Sequence, residues 1–140
     1  MAAYWIVKTD TDTYSFDDLQ REGRTVWDGV SNALALKHLR SMSPGDRVLI
    51  YHSGDEKALA GLARVVSAPY QDPKRGDPKL SVVDLEADRR LERPVTLAAI
   101  KAEPVFKDLP LVRMSRLSVG PVPSQQWKRL LAMGGIREPD

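Results

Sequence analysis

The sequence has 140 residues, no cysteine, 42% hydrophobic and 29% charged side chains, and 21 basic against 19 acidic groups for a formal charge of +2. That length suits one compact domain across residues 1–140, and the missing cysteine excludes disulfides, thiolate metal sites and a cysteine nucleophile. With only His38 and His52, no run of about 18 apolar residues and no basic-then-apolar N-terminus, no metal, no membrane partner and no secretory signal are expected; the default is a cytoplasmic, monomeric or weakly associating chain.

Tyr4-Trp5-Ile6-Val7 is β-rich and predicts a first strand running into a polar loop at residues 8–13. Ser15, acids at 17 and 18 and Gly23 bracket a short helix. Residues 24–27 form a short strand before the Asp28-Gly29 turn. Ser31 or Asn32 caps a second helix over residues 33–41. Ser43-Pro44-Gly45-Asp46 turns the chain into a strand over 47–52, whose apolar middle implies burial. Residues 58–68 read as a further strand bent at Gly61. Residues 69–79, with three prolines and a glycine, read as a surface loop. Residues 80–87 form a half-exposed strand, and Pro94 interrupts before Val95. Thr96 caps a helix that Pro104 stops. Residues 105–109 form another turn, and residues 113–119 a loop entering a short strand. Ser124 caps a last helix that Gly134-Gly135 closes. About five or six strands interleaved with short helices make an α+β fold, with a strongly curved sheet closing into a small open barrel.

Known catalytic signatures are missing. His52 and Ser53 are neighbours on a strand and point to opposite faces, so they do not make a nucleophile and base. There is no Gly-x-Ser-x-Gly elbow, phosphate-binding glycine loop or dinucleotide fingerprint. The chain is expected not to be an enzyme, and no cofactor is expected.

Binding chemistry is better represented. Trp27 ends a short strand, just before a turn and a helix start, so an aromatic face adjoins Ser31, Asn32 and free backbone amides. A flat ligand can stack there while polar groups read its edge. Tyr51-His52-Ser53 and Lys8-Thr9 end strands at what would be a barrel mouth. Arg113-x-Ser115-Arg116 offers two guanidinium groups and a hydroxyl suited to phosphate. A net charge of +2 is small for gripping long duplex DNA. Its distribution is uneven, with six acids against three bases in residues 1–35 and seven bases against four acids in residues 101–140.

Six segments occur here in a characteristic order: Tyr4-Trp5-Ile6-Val7-Lys8, Tyr14-Ser15-Phe16-Asp17-Asp18-Leu19, Val26-Trp27-Asp28-Gly29-Val30, Pro44-Gly45-Asp46, Tyr51-His52-Ser53 and Ser115-Arg116-Leu117-Ser118-Val119. In this the chain resembles the EVE domain family of the PUA-like superfamily, over residues 3–135. The resemblance implies a PUA-like open β-barrel flanked by helices. It also implies a non-catalytic module that binds DNA or RNA by holding an extruded modified base, such as 5-methylcytosine, in an aromatic and polar pocket. Carried onto this sequence, the base pocket would draw on Trp5, Lys8, Thr9, Trp27, Val30, Ser31, Asn32, Tyr51, His52, Ser53, Leu117 and Ser118. Arg113, Ser115 and Arg116 would hold phosphate. Two segments depart from the family pattern: Lys8-Thr9-Asp10-Thr11 stands where Lys-Ser-Glu-Pro is usual, and residues 31–37 lack the usual arginine, tyrosine and glutamine. The alternatives are a small-molecule hydrolase or amidase, as in some PUA-like relatives, and a protein-interaction domain marked by a contiguous apolar surface.

Overall fold

The computed structural model describes residues 2–137. Strand β1 (Tyr4–Asp10) pairs in parallel with β3 (Arg47–Ser53), which pairs antiparallel with β4 (Ala58–Val65). Strand β6 (Ser81–Thr96) flanks β4 on its other side and carries β2 (Arg24–Trp27) at one edge. The sheet is seven-stranded and mixed, in the order β2-β6-β4-β3-β1-β7, with β7 (Val119–Pro121) on β1 and the two-residue β5 (Tyr70–Gln71) on β6. Strands β2 and β7 do not pair with each other, so the curled sheet is an open half-barrel.

Both faces of the central strands are covered. Val48 and Ile50 of β3 join the core beneath helices α1 (Phe16–Glu22) and α2 (Ala33–Arg40). Leu49 and Tyr51 join a second core with residues of α3 (Leu97–Lys101), α4 (Pro110–Arg113) and α5 (Ser124–Met133). A strand buried on both faces must be apolar at consecutive positions, and residues 48–51 are. No helix among the described residues is long and apolar enough to cross a membrane.

Several boundaries differ from the sequence expectation. β6 continues through Pro94 instead of ending near residue 87. Pro94 lies between the Gly61–Arg90 and Leu59–Val95 pairs, where the register shifts, so its missing N–H breaks no ladder bond. Strand β4 ends at Val65 rather than residue 68, and β5 forms inside the expected loop. Pro110 opens α4 in a stretch without a helical stripe. Of the two caps expected for α2, Asn32 is the one used, accepting from the amides of Leu34 and Ala35. Ser124 is the first residue of α5 and gives it no side-chain cap.

Helix α1 forms as its sequence dictates. Ser15 and Asp18 make a reciprocal capping box, and Gly23 ends the helix at φ 79°. Its position on the sheet is set by Phe16. A Cβ at Gly61 would come within 2.3 Å of the Phe16 ring, so the ring lies directly on the β4 backbone. Gly61→Ala should therefore lower stability by about 1–3 kcal/mol, read as a reduced urea midpoint. Adding Phe16→Leu should recover part of that loss, because the smaller side chain vacates the ring's space.

Candidate nucleic-acid interface

A cleft of about 610 Å³ opens between α1, β2 and the turn that follows β2. Trp27 and Thr25 share one side of β2 by strand alternation, and both line it. Trp27 is only 7% exposed, since the ring is also part of the core beneath α1 and α2. It is nevertheless a wall of the opening. Tyr14 stands edge-on to it, with centroids 6.2 Å apart and ring planes at 82°. The Tyr14 hydroxyl donates to Glu22 at 2.5 Å. Ring burial and that carboxylate push its pKa up to about 12, so it stays a neutral phenol. Thr9 donates its hydroxyl proton to the Tyr14 carbonyl at 2.6 Å and offers the cleft only lone pairs.

Carboxylates outnumber cations in this cleft: Glu22, Asp28 and Asp84 against Arg24 and Lys74. Asp84 accepts from the Tyr70 hydroxyl at 2.6 Å and pairs with Arg24 at 3.0 Å. Those contacts, the hydroxyl first, hold its carboxyl below the usual carboxylate range. Arg24 is therefore spent on Asp84.

A second cleft of about 400 Å³ collects Asn32, Leu34, Arg113, Met114, Ser115, Arg116 and Leu117. The Lys8 ammonium donates to the Ser115 carbonyl at 2.9 Å, and the Lys8 amide to the Ser118 carbonyl at 2.9 Å. These bonds fasten residues 113–118 to β1. Partial burial lowers the Lys8 pKa from its ordinary value. Lys8 ties down this second cleft while its neighbour Thr9 lines the first, and the loop after Trp27 joins the two. Arg113 pairs with Asp108 at 2.9 Å, and Arg116 has no ionic partner among the described residues.

The expected base-pocket residues are thus divided. Thr9 and Trp27 line the first cleft; Asn32 and Leu117 line the second. The others lie outside both. Trp5 is buried and donates its indole N–H to Asp46 at 3.0 Å. Val30 is buried, its carbonyl receiving Arg75, while Ser31 is exposed on the connecting loop. Tyr51 is buried in the second core, and Ser53 ends β3 half-buried. Ser118 is half-buried and bonded through its carbonyl to Lys8. His52 is buried, with both ring nitrogens engaged. Nε2 accepts the Phe16 amide at 2.9 Å, which leaves the proton on Nδ1, 2.8 Å from Glu56. A histidine so engaged anchors α1 and has no nitrogen left for a ligand.

Sequence reasoning did not select Tyr14, Glu22, Thr25, Asp28 or Lys74 for the site. Tyr14 and Asp28 lie within the ordered family motifs, and Thr25 shares the Trp27 face; Glu22 and Lys74 carry no local signal.

A family model described as EVE domain matches residues 3–133. Human thymocyte nuclear protein 1 is 27% identical over an alignment covering 95% of this chain and 74% of that protein. A Rhodopseudomonas palustris protein solved by NMR is 41% identical with TM-score 0.92, covering 99% of this chain and 97% of that one. Human THYN1, solved in complex with 5-methylcytosine-containing DNA, superimposes with TM-score 0.87 at 27% identity, covering 99% of this chain and all (100%) of that one.

His52→Ala should orphan the buried Phe16 amide and cost about 1–3 kcal/mol. Chemical denaturation reads this as a lower midpoint. An unchanged midpoint would contradict the His52–Phe16 anchor.

Proposed function

The chain belongs to the EVE domain family, and from that premise we propose that it is a non-catalytic module that binds DNA by holding an extruded, modified cytosine in the Trp27 cleft. One observation carries this reading: an indole walls an opening of about 610 Å³, within the range of small-molecule sites, beside polar side chains that can read a base edge. The DNA complex of human THYN1 supports the choice of ligand.

The energetics divide the labour. Extrusion costs a few kcal/mol. Stacking on Trp27 returns about 1–3 kcal/mol. One buried methyl adds only about 0.8 kcal/mol, or about fourfold. The methyl therefore tunes affinity, and hydrogen bonds choose the base. Thr9 offers only lone pairs and Asp28 is a carboxylate, so both suit the exocyclic amine of a cytosine. Thymine presents an acceptor there and would meet acceptor on acceptor. Arg113, Ser115 and Arg116 are assigned to the phosphates on either side.

Trp27 is also a core residue, so Trp27→Ala would cost about 3–5 kcal/mol of stability and confuse the test. Trp27→Phe keeps most of the packing and shrinks the stacking face. It should weaken binding of a 5-methylcytosine oligonucleotide severalfold in fluorescence anisotropy, at unchanged far-ultraviolet circular dichroism. Normal affinity in that variant would refute the stacking role. The methylated-to-unmethylated affinity ratio should be about fourfold, and not above roughly a hundredfold. Arg116→Ala should weaken binding to all sequences and flatten the log–log salt slope by about 0.9. Equal or tighter binding of the matching RNA in the same panel would move the assignment from DNA to RNA.

A further inference from the structure

The second cleft joins two features that the base pocket does not use. Leu34 of α2 and Met114 after α4 are 36% and 44% exposed, and both line it. Large side chains left this bare are uncommon here; among the described residues only Val26, Tyr70 and Val105 match them. Two guanidinium groups share the same cleft, Arg113, which also pairs with Asp108, and Arg116, and no carboxylate lines it. An apolar knob between cations fits a polyanion with apolar faces between its charges, which describes a nucleic acid whose stack has been opened.

Extruding a base from a duplex leaves a vacancy between two base pairs. Proteins that open a stack often insert Leu, Met or a similar wedge. We propose that Met114, backed by Leu34, is a plug that enters the vacancy left by the extruded nucleotide. The inference rests on the base-extrusion reading above.

Geometry supports it in two ways. The two clefts adjoin: Gly29 lines the first and Asn32 the second, and three residues of chain span at most about 11 Å. The vacancy and the extruded base belong to the same nucleotide position, so wedge and pocket must be near neighbours. The plug is also held in place before binding. The Met114 amide donates to Pro110 at 2.8 Å, the Leu117 amide donates to Met114 at 2.9 Å, and Lys8 fastens Ser115 at 2.9 Å. Methionine suits the task, because its unbranched, polarizable chain adapts to a base face. Arg116, free of an ionic partner among the described residues, can take a phosphate beside the gap.

The test compares one 5-methylcytosine sequence as duplex and as single strand, with wild type, Met114→Ala and Met114→Ala/Leu34→Ala. Both side chains are exposed, and thermal melts check that the variants stay folded. The double variant should bind the duplex about tenfold more weakly and the single strand within about twofold of wild type, because a single strand has no vacancy to fill. Equal loss on both strands, or loss on neither, overturns the plug and leaves the base pocket standing. So does a wild type that binds only the single strand. A wild type that binds neither removes the base-extrusion reading, and the plug with it.

Discussion

Phe16 packs against the bare backbone of Gly61, and the first cleft depends on that contact. A Cβ at residue 61 would fall inside the ring's van der Waals space, at 2.3 Å. The contact seats the Phe16 ring on the β4 backbone, where any side chain at residue 61 would displace it. His52 fixes the same residue from the other side by accepting its amide at 2.9 Å. With its start held twice, α1 can carry Tyr14, just before it, and Glu22, at its end, to the same wall of the opening. Tyr14 then meets Trp27 at 82°, and the hydroxyl–carboxylate bond between Tyr14 and Glu22 closes that wall. A loosely packed α1 would leave Trp27 without its edge-on neighbour.

Asp46 plays the corresponding part at the other end of the sheet. Its carboxylate is buried and accepts from Ala3, the Trp5 indole and Ser43 at 2.9, 3.0 and 2.9 Å. One side chain thereby sets the start of β1 and the turn into β3. The parallel register from Tyr4–Arg47 to Asp10–Ser53 runs from that end. At the far end of the register lie Lys8 and Thr9, one tying down the second cleft and the other lining the first. The two clefts are therefore held in relation by a single strand whose start is pinned about fifteen ångströms away, at roughly 3.3 Å per residue.

What could be read from the sequence was local. Ser15 with Asp18 announced a helix start, and the consecutive apolar residues 48–51 announced a doubly covered strand. Trp27 before Asp28-Gly29 announced an aromatic side chain at an element's end. What could not be read depended on residues distant in the chain. Pro94 looked like a stop because its harmless position depends on a register shift against Leu59 and Gly61. His52 looked like a mouth residue because its partner amide comes from Phe16, 36 positions away. Glu22 and Lys74 are ordinary surface residues until α1 and the long loop carry them to the same opening. Asn32 rather than Ser31 caps α2 because its side chain reaches two amides at 3.0 Å, a choice of backbone geometry that composition does not decide.

The charge pattern explains why a chain with a formal charge of +2 can suit a polyanion. Signs are sorted by cleft. The first has three carboxylates, Glu22, Asp28 and Asp84, against two cations, one of them committed to Asp84. The second has Arg113, itself paired with Asp108, and Arg116, with no carboxylate among its lining residues. On the proposed reading, a phosphate approaching the surface would be repelled from the first and drawn to the second. The proposed base site would then suit a neutral heterocycle, whose amine the same carboxylates attract. Net charge averages these opposed fields away. The useful quantity is the gradient between the two clefts, which under the proposed function would turn a backbone so that its base, and not its phosphate, faces Trp27.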